Sequence, residues 1–163
     1  MKQTEFIKFL NVIEKLKCNT RHSWTSTGRR ESVAEHSWRL AIMAMLCRDE
    51  YPSLDIDKVI KMCLIHDLGE AITGDIPSFY KTESHENEEE KAIDKIISML
   101  PAPYNSEFES LFAEIEKKAT DEGRCTIVIN RLKIAIFAQY CIKNPRYTLV
   151  LSRISSLSCD KTI

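Results

Sequence analysis

The sequence predicts an all-α fold, a single-domain bundle of helices that covers residues 1–163. Glycine and proline are scarce, with 4 and 5 copies, and apolar residues between them recur at intervals of three and four, the spacing of a helix face. The length lies within the range of about 100–200 residues that one domain occupies. Six scattered cysteines without a Cys-x-x-Cys pair indicate reduced thiols, as in a cytosolic protein.

The first two helices are predicted from an apolar stripe and a capping signal. Residues 4–16 carry one apolar stripe at helical spacing, which predicts the first helix. Ser32 and Glu35 form a capping box, in which the serine accepts from the third helical amide and the glutamate reaches back. The second helix therefore begins here, continues to Cys47 and ends before Pro52, which cannot continue a helix.

Three further helices follow from composition and from helix breakers. The third runs from Asp57 towards Gly74 and is apolar on nearly all sides, so we expect it to be the most buried. Residues 83–100 form the fourth, which has acidic side chains near its N-terminal end, where the helix dipole favours them, and stops at Pro101. Residues 106–119 form the fifth.

The C-terminal part allows two interpretations. In residues 122–141 the β-branched run 126–129 suits a strand as well as a buried helix, and periodicity alone does not decide between them. The tail from Asn144 has weak amphipathic character and fits either a short helix or a frayed end.

Charge and hydropathy exclude several classes of function. With 23 basic and 24 acidic residues the net charge is -1, and no basic stripe is interleaved with aromatic residues, so we expect no nucleic-acid polymer as a partner. Residues 1–17 interrupt their apolar positions with Lys and Glu, which argues against a signal peptide or a membrane span. No other stretch is long and apolar enough to cross a bilayer, so we expect a cytoplasmic protein.

The third predicted helix carries polar groups that an apolar helix does not need. His66, Asp67 and Glu70 lie among Ile, Leu, Met and Cys, and a buried charge costs several kcal/mol unless it is paired or bound to a metal. On a continuous helix His66 and Glu70 share one face, with Asp67 about 100° away. A cation would remove the cost; the alternative is a core histidine that is hydrogen-bonded to its neighbour.

Further ligands have to come from elsewhere, because one imidazole and one carboxylate are too few for a tight divalent site. His36 is the candidate, since it stands at the polar start of an otherwise core-forming helix. Asp75 follows Gly74 on a short turn, either as a functional carboxylate or as a turn cap. His22 and His85 lie in polar stretches and are predicted at the surface.

Three ordered segments resemble a known family. RHSW at 21–24, ESVAEHSW at 31–38 and LIHDLGEAITGDIP at 64–77 are similar to the HD-domain metal-dependent phosphohydrolases, specifically to their 5'-deoxyribonucleotidase branch. The similarity covers the chain from about residue 6 to residue 122. It implies a helical bundle, usually dimeric, that hydrolyses deoxyribonucleoside 5'-monophosphates, with a small nucleotide as its substrate.

The resemblance also implies a role for each matching residue. One divalent metal ion, whether Mn, Co, Mg, Fe, Ni or Zn, is expected on His36, His66 and Asp67, together with a distal aspartate on a late helix. The residues matching Glu70 and Asp75 act near the attacking water and the substrate. Metal-activated water and a carboxylate that handles its proton are what phosphomonoester hydrolysis requires.

The resemblance assigns two upstream residues to the substrate. Arg21 and Trp24 match residues that contact phosphate and sugar, and a planar guanidinium and an apolar ring suit those groups. Arg29 and Arg30 are additional phosphate candidates, with exposed solvated arginines as the alternative.

One departure from the family pattern concerns the last ligand. Family members carry a late-helix motif close to Asp-Lys-Leu-Glu, and the matching residues here are Asn130, Arg131, Leu132 and Lys133. An amide oxygen can bind a hard cation but brings no charge, so two neutral histidines and one aspartate leave a divalent site at +1 and should weaken metal binding. From about residue 125 onward we expect a divergent segment.

Two alternatives stand beside the deoxynucleotidase hypothesis. The first is a catalytically silent protein that binds nucleotides or regulates but has lost the chemistry. The second is a related HD hydrolase of cyclic dinucleotides, alarmones or triphosphates, against which the RHSW segment and the small size argue by resemblance. An exposed apolar face on so small a domain would also favour a homodimer.

Overall fold

This computed structural model describes residues 2–77 and 79–142, which form helices and one short hairpin. A 3-10 turn at Glu14–Lys17 follows the first helix. The elements in chain order are α1 Gln3–Ile13, β1 Thr20–Trp24, β2 Arg30–Ser32, α2 Val33–Leu46, α3 Ile56–Ile65, α4 Glu70–Thr73, α5 Glu83–Ile97, α6 Tyr104–Lys117 and α7 Asp121–Ile142. The all-α prediction is confirmed, and apart from the end of the third helix the helix boundaries differ from it by a few residues.

The hairpin of β1 and β2 is an element that the sequence analysis missed. The strands pair antiparallel, with Thr20 opposite Ser32 and Trp24 opposite Arg30, and the pairing is irregular between these two points. Gly28 closes the connection with a φ of 82°, a conformation that favours glycine. Strands of five and three residues are too short for an alternating pattern to stand out in the sequence.

The prediction of one continuous third helix is wrong at its C-terminal end. α3 ends at Ile65, and the chain turns through residues 66–69 before α4 begins. The amide of His66 still bonds the carbonyl four residues back, but Leu68 and Glu70 bond carbonyls three residues back, as in a 3-10 turn. A reason lies in packing, since a Cβ on Gly69 would meet Glu89 Cγ at 3.0 Å.

The segment that suited either a strand or a helix is helical, as part of α7. Thr126, within the β-branched run, is buried, and its hydroxyl donates to the carbonyl of Glu122 four residues back, a bond that a β-branched residue can make inside a helix. The same hydroxyl contacts Met62 Sδ at 3.6 Å. The tail from Asn144 lies outside the described residues.

Two clusters of apolar side chains form the core of the part of the chain that ends at Ile129, where backbone contacts divide the molecule. The first joins the 3-10 turn and the start of α2 to α3, α4, α5 and α6: Leu16, Val33, Met62, Ile65, Leu68, Ala71, Ile93, Ile96, Ile97, Leu111 and Phe112. The second joins α2, α3 and α7: Leu40, Ala41, Ala44, Ile56, Val59, Cys63 and Ile129. α3 contributes to both clusters, as expected for a central helix.

Apolar residues also face outward along α2. Trp38, Ile42, Met45 and Leu46 are all exposed, at a spacing that puts them on one side of the helix. Within residues 2–77 and 79–142, no helix combines the length and the apolar character needed to cross a bilayer.

Candidate metal centre and its surroundings

The first turn of α2 brings His36 into the interior. The predicted capping box is present, because Ser32 Oγ accepts from the amide of Glu35 at 3.2 Å and the Glu35 carboxylate accepts from the amide of Ser32 at 2.8 Å. Val33 and Leu40 bury the inner side of the helix. The side of α2 that faces the core therefore carries His36, whose exposed fraction is 1%.

The C-terminal end of α3 supplies His66. Its Nδ1 lies 2.9 Å from the carbonyl oxygen of Cys63, and because a carbonyl can only accept, Nδ1 carries the proton and donates. In the neutral ring Nε2 then has a free lone pair. This atom is buried, and it lies 3.1 Å from Asp67 Oδ2 without forming a hydrogen bond among the described residues.

His36, His66 and Asp67 converge on one point. One ligand atom from each lies within 4.8 Å of the others. Asp67 Oδ2 lies 3.5 Å from His36 Nε2, and the two imidazole rings have centroids 5.3 Å apart. Imidazole nitrogen and carboxylate oxygen are ligands that a divalent metal ion accepts, so this buried cluster is suited to a cation.

A guanidinium lies beside this cluster. NH1 of Arg21, on β1, is 2.7 Å from Asp67 Oδ2, 3.1 Å from Asp75 Oδ1 and 3.6 Å from Glu70 Oε2. Burial by itself raises the pKa of Asp67, but the charges of His66, Arg21 and His36 outweigh it and hold the pKa well below its usual range. Asp67 is therefore ionised throughout the neutral range.

Glu70 is the second buried carboxyl of the group, with an exposed fraction of 4%. The tight turn before α4 places it three residues after Asp67, and residues three apart in a 3-10 turn lie on one side. Burial and then the charge of Asp67 raise the pKa of Glu70 to about 9. Its backbone carbonyl accepts from Asn19 Nδ2 at 2.5 Å, which ties the turn to the segment before β1.

Asp75 lies on the turn that the sequence predicted. Gly74 ends α4 with a φ of 77°, and the chain then reverses so that Asp75 approaches Arg21. Burial and the charge of Asp67 raise the pKa of Asp75, while Arg21 and His22 oppose the rise. Its other oxygen lies 3.8 Å from His22 Nδ1.

Other predicted residues lie around the hairpin or on α5. Trp24 ends β1, and the Arg30 guanidinium lies 5.5 Å from the centre of its ring. Arg29 is exposed and pairs with Glu35 at 2.6 Å, so it extends the cap of α2. His85 is partly buried at the start of α5, where its Nδ1 accepts from the amide of Thr82 at 3.3 Å.

Asn130 is the first residue beyond the division of the chain at Ile129. Its side-chain oxygen is buried and accepts no hydrogen bond from any residue that the structure describes. Its role as a fourth ligand stays a prediction from the sequence.

Two charged residues near the cluster escaped the sequence analysis. Glu31 on β2 is buried and accepts a 2.6 Å hydrogen bond from Ser23 Oγ. Lys81 pairs with Glu89, and although burial lowers its pKa, the charges of Glu89, Glu70 and Asp67 raise it above the ordinary value. A lone glutamate in a strand or a lysine in a loop carries no local signal, so only the packed chain identifies them.

Comparison with known proteins gives a family match over most of the chain. The family model described as HD domain matches residues 13–157. A mouse (Mus musculus) protein named 5'-deoxynucleotidase HDDC2 is 35% identical over 123 residues, which are 72% of this chain and 60% of the mouse protein. A Schizosaccharomyces pombe protein named 5'-deoxynucleotidase hdd1 is 30% identical over 141 residues, 82% of this chain and 70% of its own length.

The fold is similar to that of a protein whose crystal structure is known. It is described as a predicted metal-dependent phosphohydrolase from Magnetospirillum magnetotacticum, with 32% identity and a TM-score of 0.74. The match covers 83% of this chain and 69% of that one. The chain spans about 60% of the length of the mouse relative.

Proposed function

This chain belongs to the HD domain family, and we propose that it is a metal-dependent phosphohydrolase that removes phosphate from deoxyribonucleoside 5'-monophosphates. The observation that carries the proposal is the buried convergence of His36, His66 and Asp67 beside the Arg21 guanidinium. The substrate class comes from the relatives that are named 5'-deoxynucleotidase.

The donor set fits a divalent metal ion. Imidazole nitrogen and carboxylate oxygen suit first-row divalent metals, and the Nδ1 hydrogen bond of His66 orients the ring in the way that metal-binding histidines usually require. His36, His66 and Asp67 would hold the ion. When bound, a divalent ion lowers the pKa of water and offsets the charge of the phosphoryl oxygens.

Glu70 and Asp75 are suited to proton transfer. Hydrolysis forms a bond from a water oxygen to phosphorus and breaks the bond to the deoxyribose oxygen; one proton leaves the water and one reaches the departing oxygen. The pKa of about 9 keeps Glu70 protonated at neutral pH while the Asp67 charge is uncompensated. A cation held by Asp67 would offset the charge that is the second cause of this rise, after burial.

Arg21 suits the phosphate. Its contacts with the three carboxylates all use NH1, and a guanidinium has further N–H groups that can donate to phosphoryl oxygens in a bidentate manner. The adjoining carboxylates keep Arg21 charged and oriented. Trp24, at the end of the same strand, is assigned to the sugar by the family resemblance.

The test is release of phosphate from deoxyribonucleoside 5'-monophosphates, with ribonucleotides as the comparison substrates. We expect turnover only after Mn²⁺, Co²⁺ or Mg²⁺ is added to protein stripped with EDTA, and faster release from the deoxy series. Nucleotide binding without phosphate release under any of these metals would instead support the catalytically silent alternative, and release only from triphosphates would change the substrate class.

A variant at Asn130 provides a second test in the same assay. Asn130→Asp adds the carboxylate that the family pattern carries at this position, so we expect the purified variant to retain more metal and to turn over faster at low metal concentration. If the substitution changes neither metal content nor turnover, the assignment of Asn130 as the fourth ligand position is wrong.

We also expect a homodimer. The exposed apolar stripe on α2, with Trp38 and Leu46 63% and 79% exposed, supports a contact with a second copy. Sedimentation of the purified protein tests this, and a monomer at all concentrations would exclude it.

A further inference from the structure

Three exposed rings lie next to the candidate site. Phe79 and Tyr80 follow Asp75 in the chain, are 44% and 58% exposed, and have ring centroids 4.5 Å apart. The third ring is His22, which meets the edge of Phe79 with a centroid distance of 6.3 Å. We call His22, Phe79 and Tyr80 the aromatic rim.

The aromatic rim is continuous with the residues assigned to the phosphate. His22 is adjacent to Arg21 in β1, and its Nδ1 lies 3.8 Å from an oxygen of Asp75, whose other oxygen lies 3.1 Å from the Arg21 guanidinium. Arg21 and His22 thus share Asp75, and His22 in turn contacts Phe79, which links the phosphate residue to the rim through neighbouring side chains. The path leads from a buried charged region to exposed aromatic faces.

The exposed aromatic faces of the rim indicate which part of a ligand it would contact. Large exposed aromatic side chains are unfavourable in water, and base–aromatic stacking gains from them because every nucleobase has a flat face. The rings of Phe79 and Tyr80 are inclined at 60°, so they do not stack face to face on each other. A planar group can therefore lie against either ring.

We propose that the aromatic rim of His22, Phe79 and Tyr80 binds the nucleobase of the substrate by stacking and gives the protein a preference for purines. This inference rests on the proposed function, because it takes the phosphate to lie at Arg21. A purine covers more of an aromatic face than a pyrimidine does, so stacking favours it without reading the edge of the base.

The experiment compares a ligand that has a base with one that lacks it. Affinities of dGMP, dCMP and deoxyribose 5-phosphate are measured by calorimetric titration of the EDTA-treated protein, and rates of phosphate release are measured separately with added metal. We expect dGMP to bind about tenfold more tightly than deoxyribose 5-phosphate, with dCMP between them, as expected for one stacked base.

The variants Phe79→Leu and Tyr80→Leu keep apolar bulk but remove the aromatic face. Each should reduce the affinity advantage of dGMP over deoxyribose 5-phosphate about threefold and raise KM for dGMP more than for dCMP, with kcat nearly unchanged. Tyr104→Leu, at an exposed tyrosine on α6, is the matched control and should leave the ratio of the affinities for dGMP and deoxyribose 5-phosphate unchanged. Unchanged affinity of the variants for deoxyribose 5-phosphate shows that they are folded.

The outcomes separate this inference from the proposed function. Equal affinities for all three ligands, or a dGMP advantage that survives the double variant Phe79→Leu/Tyr80→Leu, would overturn the base site while leaving hydrolysis intact. Absence of phosphate release from every substrate would overturn the proposed function, and the titrations would still decide the base site. A double variant that changes the sedimentation of the protein but not the affinity for dGMP would identify the rim as a protein contact and overturn the inference.

Discussion

The two helices that supply histidines to the candidate metal centre do so from opposite ends. His36 lies in the first turn of α2, and His66 caps the last turn of α3. The start of α2 is built from neighbours in the chain, through the hydrogen bonds of Ser32 and Glu35. At the end of α3 the His66 side chain donates to the carbonyl of Cys63 three residues back, and the turn that follows packs closely against Glu89, which is distant in sequence.

The difference teaches how each histidine is held. A local cap positions His36 whatever else folds, because its partners lie within four residues. His66 also has a local partner, the carbonyl of Cys63, whereas Asp67 pairs with Arg21, 46 positions away in the chain.

Removing the carboxylate at the end of α3 should have the largest effect. Asp67→Asn takes away the negative charge that the cluster offers a cation, so we expect metal affinity to fall by more than about 100-fold and phosphate release to be lost with it. Elemental analysis and a phosphate assay measure this. Asp57→Asn, which changes an exposed aspartate near the start of α3, is the control. Normal metal content in Asp67→Asn would contradict the assignment of the ligands.

A side chain at Gly69 should disrupt the turn after α3 without changing a predicted metal ligand. A Cβ on Gly69 would lie 3.0 Å from Glu89 Cγ and 3.2 Å from the Glu89 carbonyl oxygen. We expect Gly69→Ala to lower the free energy of unfolding by about 1–3 kcal/mol, as overpacking does, measured by urea denaturation.

A double-mutant cycle sharpens this test. Glu89→Ala removes the Cγ contact, so Gly69→Ala should be less destabilising in that background than in the wild-type protein. Equal penalties in both backgrounds would mean that Glu89 does not cause the tight turn.

At the α2 end the corresponding change removes the cap. Ser32→Ala deletes the acceptor for the Glu35 amide, and we expect a loss of about 1 kcal/mol in unfolding free energy. Ser53→Ala, at an exposed loop serine, provides the reference in the same urea experiment. A Ser32→Ala protein as stable as the reference would show that the capping box is not what holds this end of α2.

The smallest effect concerns the pH dependence of the same cap. The hydrogen bond from Arg29, and then that from the Ser32 amide, lower the pKa of Glu35 from 4.5 to about 2. The stability from this shift is therefore present above about pH 4.5 and is lost as the pH falls towards 2. Because the pair is exposed, its contribution is small.

The measurement compares the wild-type protein with Glu35→Gln by denaturation at several pH values. The stability difference between them should be largest near neutral pH and shrink below pH 4.5. A difference that grows on acidification would mean that Glu35 is not ionised in the folded protein.

Much of the fold was predictable because its signals are local. The helical periodicity, the capping box at Ser32 and the stop before Pro52 are each properties of a few neighbouring residues. The hairpin was missed because its strands are short, and the break after Ile65 because the close packing of α5 on Gly69 is a contact between residues distant in sequence. Neither feature leaves a pattern in its own segment.

The candidate site likewise has residues that the sequence indicates and residues that only the folded structure identifies. His36, His66 and Asp67 stand out in the sequence because polar groups are costly in apolar helices, and the structure brings all three together. The base-binding role proposed for Phe79 depends on the position of its ring beside His22, which periodicity does not reveal. Glu31 and Lys81 were missed for the same reason.

By itself the sequence determined the class of fold, the start of α2 and the residue types able to hold a cation, because hydrogen bonds and burial patterns within a few residues encode them. Only the tertiary structure decided that Arg21 lies among three carboxylates and that Asp67 and Glu70 share one side of a tight turn. The first arrangement joins residues 46 or more positions apart, and only the packing of the folded chain brings such residues together. The second depends on the tight turn that breaks the helix after Ile65.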